Sequence, residues 1–334
     1  LGVMPLGGRV LNGLELVDAY DRASVPMRTY ELFGRHGQLI RRYALGDFVE
    51  QYGDYRGIER SSLLEILRTA AGDIVYGHTV TTIEENPAAV TATFSDGSHT
   101  EVDLIVGADG IHSTTRAMIV DADDVEEFDT GWGGYILWAP LGDHPKDTYS
   151  EMWAAGWGVG VYPVPGRAGI FLAGRTDDIT DRDPHEYAAE VAGRLPIGVF
   201  SDALSLVDPD EPAFMWRMAD IRSSVWHTSR AVLLGDAAAG FLPTAGVGAS
   251  AAMDSAAALA DELSRADAAH LTYALELYER RQRHRVELAQ KNSRALAKFM
   301  FVNGGPIALT RDQLMRFYTL KRMISDISKV MDGA

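Results

Sequence analysis

Two short runs hold the residue types from which a nucleotide site is built. The run Gly235-Asp236-Ala237-Ala238-Ala239-Gly240-Phe241-Leu242-Pro243-Thr244-Ala245-Gly246-Val247-Gly248-Ala249-Ser250 sets a carboxylate directly after a glycine and two further glycines ahead of small residues. Gly235 permits a sharp turn, Asp236 can accept ribose hydroxyls, and Gly246 and Gly248 let backbone amides approach a planar ligand or an anion at a helix start. The same glycines would equally serve to pack a strand-loop-helix join. In the second run, Asp103-Leu104-Ile105-Val106-Gly107-Ala108-Asp109-Gly110-Ile111-His112-Ser113-Thr114-Thr115-Arg116, Asp109 either meets a ligand or closes the turn. Ser113, Thr114 or Thr115 can cap the following helix, and Arg116 can hold that helix or reach a phosphate. A third group is Arg60, one step before the helix-opening pair Ser61-Ser62. Its guanidinium fork can grip a diphosphate or pair with Glu59 or Glu65.

These groups need strands that end in tight turns. Val102 to Val106 is a nearly continuous apolar strand running into Gly107 to Gly110, and Val232-Leu233-Leu234 is another running into Gly235-Asp236. Carboxyl ends of strands are where open α/β sheets place ligand crevices. Ala249 to Glu262 reads as a buried, small-faced helix, followed by helices at about 269 to 300 and 311 to 331. Earlier, Leu11, Leu14, Val17 and Tyr20 suggest one short helix, and Asp73 to Tyr76 and Val90 to Phe94 suggest strands, the latter leading into the turn Ser95 to Ser98.

Between Trp132 and Arg175 the texture changes to aromatic, glycine-rich strands, expected to form a mainly antiparallel second sheet. A helix opened by Asp183-Pro184 follows, then a strand at Ala213 to Met218. Candidate substrate contacts are Tyr135, Trp138, Trp153, Tyr162, Arg175, Trp216 and Met218, although aromatics on alternating strand positions also serve as plain sheet core. The expected organisation is α/β: a dinucleotide-type domain over 1–130, a substrate domain over 131–225, and a return to the first domain with C-terminal helices over 226–334.

Composition narrows the function. The chain has 334 residues, 46% apolar and 23% charged, an ordinary globular make-up with room for two domains. With 47 acidic against 31 basic residues its formal net charge is -16, which repels nucleic acid and anionic membranes. Cysteine is absent, which removes disulfides, thiolate metal sites and cysteine nucleophiles. The nine histidines are scattered without H-E-x-x-H spacing, and no G-x-S-x-G elbow is present, so neither a metal site nor a serine hydrolase is expected. No membrane span or secretion signal is read, and a cytoplasmic monomer or homodimer is expected.

Taken together, the Arg60 helix start, the Asp109-Gly110 turn, the Gly235-Asp236 turn and the Pro243 to Gly248 loop resemble the class A FAD-dependent monooxygenases of the p-hydroxybenzoate and salicylate hydroxylase type. Trp226 and Arg230 fit that family's lead-in to the last of these strands. The resemblance implies that Arg60, Asp109, Gly110, Gly235, Asp236, Pro243, Gly246, Val247 and Gly248 hold FAD. It also implies that NADPH or NADH is the reductant, and that one atom of O2 enters an aromatic or polycyclic small molecule lying between the second sheet and the flavin. No dedicated catalytic side chain is expected, because the cofactor carries the hard chemistry. The sequence departs from the family at Ala239, Val247 and Ser250, where His, Gln and Asn are common. The family's opening G-x-G-x-x-G turn is also not found, and the chain is expected to open just after it. Alternatives on the same fold are a flavin-dependent reductase, dehydrogenase or halogenase, or a non-catalytic binding protein.

Overall fold

The computed structural model describes residues 1–317, and these divide into two compact units. One unit takes Leu1–Ile66, Asp129–Met218 and residues 294–317; the other takes Leu67–Phe128 and Ala219–Ser293. The long strands Val125–Pro140 and Phe214–Ser223 carry the chain from one unit to the other.

The first unit is built on a mixed sheet. Val125–Pro140 pairs antiparallel with Arg167–Arg175, which pairs with Trp157–Val164, which pairs with Thr148–Trp153. Beyond that the sheet departs from pure antiparallel order. Thr148–Trp153 runs parallel to Thr29–Phe33, whose other neighbour is the antiparallel strand Leu39–Ala44. Alternation along each strand then sorts the side chains onto two faces. One face carries Tyr135, Leu137, Met152, Val159, Val161, Ile170 and Leu172, packed with Tyr187, Val191, Phe200 and Leu204 from the helices Pro184–Arg194 and Val199–Ser205. Asp183 opens the first of these helices by accepting from the amides of His185 and Glu186.

The second face is partly open. Tyr30, Ile136, Trp138, Tyr149, Glu151, Tyr162 and Phe171 all remain half-buried. Its aromatic rings lie down over glycines: a Cβ on Gly169 would collide with the Tyr162 ring, one on Gly134 with Phe171, and one on Gly158 would come 2.8 Å from Trp153. One end of this face is closed where Leu32, Trp153 and Met300 bury one another, with Phe301 stacked on Trp132 at 4.8 Å. Arg311 secures that closure by donating to the carbonyl oxygens of Trp153 and Met300 while paired with the buried Asp312.

The second unit has a short parallel pair, Ile105–Gly107 beside Ala231–Leu233, and an antiparallel meander of Val80–Glu85, Val90–Phe94 and His99–Val102. Arg230 ties the two by donating to the carbonyls of Asp103 and Pro87. The helix Leu271–Met300 anchors through two buried groups. Tyr278 donates to the Leu233 carbonyl at 3.2 Å, and Gln290 donates to those of Ile221 and Gly240 at 2.8 and 2.7 Å.

Several local expectations change. The single helix expected near residues 11 to 20 is two, Pro5–Gly13 and Val17–Arg22, separated at Glu15, whose φ of 60° leaves the helical region. Asp73 to Tyr76 is not a strand: Ile74, Val75 and Tyr76 are exposed, so nothing packs against them. The apolar run Val102 to Val106 is broken at residues 103 and 104 into the ends of two strands. The last helix begins earlier than expected, at Gly305–Met315, and the remainder of the segment expected to be helical to 331 lies outside the described residues.

Candidate cofactor and substrate sites

The two turns picked out in the sequence sit side by side. Because Ile105 pairs with Ala231 and Gly107 with Leu233 in parallel register, both turns leave the same end of neighbouring strands, and the Leu234 amide donates to the Gly107 carbonyl at 2.9 Å. Gly110, Gly235 and Gly246 all adopt positive φ, at 82°, 57° and 62°, where a side chain would be strained. A Cβ at Gly107 would lie 2.5 Å from Thr115, so the strand end also approaches the next helix too closely for any larger residue.

Asp109 is held by its own turn. Its carboxylate accepts from the Thr115 amide at 2.9 Å, from Thr114 at 3.3 Å and from the Ser113 hydroxyl. Burial opposes its charge, but the bonds from Ser113 and Thr115 outweigh this and hold its pKa below the usual carboxylate range. Ser113 in turn caps the helix Thr114–Ile119 by accepting from the Arg116 amide at 2.8 Å. Of the two sequence readings of Arg116, the structure shows the holding one: its buried guanidinium donates to the carbonyl of Ile111 at 2.7 Å and to that of Ala237 at 2.8 Å.

The second turn leaves Asp236 exposed. Pro243–Ala245 forms one tight helical turn closed by Gly246, and the helix Gly248–Leu263 then begins with no side chain capping it and no acidic residue in its first turn. Val247 is buried, so its backbone rather than its side chain is on offer. A helix start with no side-chain cap, three positive-φ glycines and two carboxylates at adjacent strand ends are what a phosphorylated, ribose-containing cofactor requires. The residues present fit FAD.

Arg60 belongs to the other unit. It is exposed at the first position of the helix Arg60–Ala71, and the neighbouring Glu59 is bound by Arg167 at 2.8 Å.

The substrate candidates are not one surface. Tyr135 belongs to the helix-packed core and donates to the Ile179 carbonyl at 2.6 Å, whereas Trp138, three positions on, lies on the second face beneath Arg167 at 4.1 Å. Odd spacing along a strand forces that separation. Met218 is fully buried. Trp153 is also buried, below Phe301. Arg175 is exposed and pairs with Asp177 and Asp178, and Trp216 is half-buried on Phe214–Ser223. Tyr162 is half-buried on the second face, its ring edge-on to Tyr149 at 6.1 Å.

That face also carries a group the sequence reading missed. Glu151 accepts from the Tyr30 hydroxyl at 2.5 Å, from the Tyr149 hydroxyl, and from the Trp153 indole N–H at 3.3 Å. Burial raises the Glu151 carboxyl, against the pull of these three donors. Burial, and then the Glu151 charge, push both phenols well above their ordinary values. A glutamate at an alternating strand position among aromatics was the available signal.

This pairing of a strand-end nucleotide crevice with a separate aromatic-faced sheet is the plan of a flavoprotein hydroxylase. A family profile described as FAD binding domain matches residues 21–293. The chain is 32% identical over 325 residues to 3-amino-4-hydroxybenzoate 2-monooxygenase PtnB3 of Streptomyces platensis, covering 93% of this chain and 81% of that protein. It is 30% identical over 327 residues to the 3-amino-4-hydroxybenzoate 2-monooxygenase of Streptomyces cremeus, covering 93% and 80%. In fold it is similar to HpxO of Klebsiella pneumoniae, solved with FAD and uric acid, with a TM-score of 0.89 at 23% identity over 100% of this chain and 87% of that one. The chain belongs to the FAD binding domain family, among the class A FAD-dependent aromatic monooxygenases. It is an FAD-dependent monooxygenase.

Proposed function

We propose that the protein hydroxylates a small aromatic ring bearing a hydroxyl or amino group, with NADPH or NADH as the electron source and FAD held by the two strand-end turns. In this reading Asp236 receives ribose hydroxyls, Asp109 and Gly110 line the crevice, and Pro243, Gly246, Val247 and Gly248 border the flavin through their backbone, with Arg60 on the diphosphate side. Bound FAD supplies the activation of O2; the chain's residues bind and orient the ring and keep water away from it. A cytoplasmic setting fits a chain without cysteine. Among the described residues no helix is long and apolar enough to cross a membrane.

The observation that carries this reading is the second face of the first unit's sheet, where Phe171 and Tyr162 lie flat over Gly134 and Gly169 and leave a partly open aromatic floor. A flat aromatic floor edged by phenol hydroxyls and one carboxylate suits an aromatic ring and fixes its orientation. The two Streptomyces relatives act, by their names, on 3-amino-4-hydroxybenzoate, which makes that compound the first to test. Flavin-loaded protein is incubated with it, reduced nicotinamide and labelled dioxygen, and the product is read by mass spectrometry. Gain of one labelled oxygen atom is expected. An unlabelled product formed equally without oxygen would make the protein a reductase or dehydrogenase.

A further inference from the structure

We propose that Glu151 is the recognition anchor for a hydrogen-bond donor on the substrate ring, presented through the phenols of Tyr30 and Tyr149. The proposal deepens the reading above and rests on it, since it takes the second face of the sheet as the surface on which the ring lies. A phenol has one hydrogen and two lone pairs. Tyr30 commits its hydrogen to one carboxylate oxygen of Glu151, Tyr149 commits its own to the other, and the Trp153 N–H is committed as well. What the cluster offers an incoming molecule is therefore acceptors. A ring O–H or N–H is satisfied there, an ether or fluorine meets lone pairs, and a carboxylate meets like charge as well.

The row of residues beside the cluster is aromatic and glycine-backed. In register across the sheet, Glu151 stands opposite Gly160, Gly160 opposite Phe171, and Phe171 opposite Ile136. Gly160 adds no side chain to that row, and the Tyr149 phenol lies against it: a Cβ there would lie 3.4 Å from the Tyr149 hydroxyl, 3.6 Å from its ring and 3.7 Å from Glu151 Cγ. A ring lying beside the Tyr149 phenol brings a substituent to the phenol oxygens. Of the guanidinium groups on neighbouring strands, Arg42 is paired with Glu31, Arg28 with Asp54, Arg56 with Asp54 and Asp21, and Arg167 with Glu59 and Glu211, while Arg41 lies over Tyr43 and donates to the Arg316 carbonyl. A carboxylate on the substrate is turned away from Glu151 by like charge, and the donor-bearing edge is turned toward it.

The test is a binding measurement that needs no turnover. Flavin-loaded protein is titrated by calorimetry with 3-amino-4-hydroxybenzoate and with 4-fluoro-3-methylbenzoate, a compound of the same shape whose two substituents cannot donate. The wild type is expected to bind the first about tenfold more tightly, the range expected for one or two hydrogen bonds to neutral phenol oxygens. Glu151→Gln, and separately the pair Tyr30→Phe with Tyr149→Phe, should bring that ratio to within about threefold while leaving the affinity for the second compound in place. A purely structural role would weaken both compounds together. Equal binding of the two compounds by the wild type, no binding of the donor-bearing one, or a ratio retained in the variants would overturn the proposal. Should Glu151→Gln not fold, as judged by its melting curve, the double phenylalanine variant decides. A preserved ratio-dependence on Glu151 with no labelled product would defeat the hydroxylase substrate assignment and leave the anchor standing.

Discussion

Arg116 donates to the carbonyl oxygen of Ala237 at 2.8 Å, fastening the helix after the first turn to the second turn 121 residues further on. Its other terminal nitrogen is given to Ile111, so one buried guanidinium holds both walls of the crevice. Replacing it with Met strands two carbonyls and should cost about 2–4 kcal/mol, since each bond to a charged donor contributes roughly 1.5–3 kcal/mol. Urea denaturation should show the loss, and flavin retained through gel filtration should fall with it. Arg116→Lys, with one point donor in place of a fork, should lie between. Unchanged urea midpoints in Arg116→Met would remove the clamp from this account.

Asp236 is exposed at the second turn. Asp236→Ala is expected to weaken FAD binding about tenfold, the effect of one lost hydrogen bond to a charged acceptor. Equal flavin occupancy of the two proteins after dilution would reject the ribose assignment.

Two glycines on the same face should respond oppositely to one methyl group. Gly169→Ala drives a Cβ into the Tyr162 ring and should destabilise the protein by about 1–3 kcal/mol, the usual cost of overpacking. Gly160→Ala meets only ordinary contacts, with Tyr149 and Glu151, and should fold normally, yet it sets a methyl against the Tyr149 phenol and should raise KM for a ring substrate. Denaturant melts and steady-state kinetics on the two variants separate these outcomes.

His144 gives a pH signature. Burial lowers its pKa below the ordinary 6.5, although its bond to the Pro145 carbonyl pulls upward. The unfolded chain therefore takes up a proton before the folded one does. Stability from this group is complete above the unfolded value and is lost as pH falls through the depressed folded value. Relative to His144→Gln, wild type should lose stability as pH falls below the unperturbed value of about 6.5. A stability difference that does not vary as pH falls through and below that value would contradict it.

The crevice was legible because its parts are local. Gly235 and Asp236 are adjacent, Asp109 finds Ser113 and Thr115 within six residues, and glycines mark the positive-φ positions by themselves. The substrate face was legible only as a texture. Tyr135 and Trp138 fell into one expected set because aromatic content was counted without strand parity, and parity puts them on opposite faces. Glu151 was missed for a different reason: its partner Tyr30 lies 121 residues away and meets it only through a parallel register that no local pattern announces. The expected strand at Asp73 to Tyr76 failed because β-branched and aromatic residues favour a strand only when something packs against them.

The parallel pairing of Thr29–Phe33 with Thr148–Trp153 also dictates an order of assembly. During synthesis the first of these strands can pair at once with Leu39–Ala44, but its other edge must wait for more than a hundred further residues. At translation rates of about 5–20 residues per second the delay is roughly 6 to 24 s. Through that interval the nascent chain presents an unpaired strand edge with Leu32 and Phe33 uncovered, the kind of template on which chains stick to one another. The surface assigned here to the substrate thus cannot form until Trp153 has been made, and soluble yield should depend on how well the cell shields that edge while the ribosome catches up.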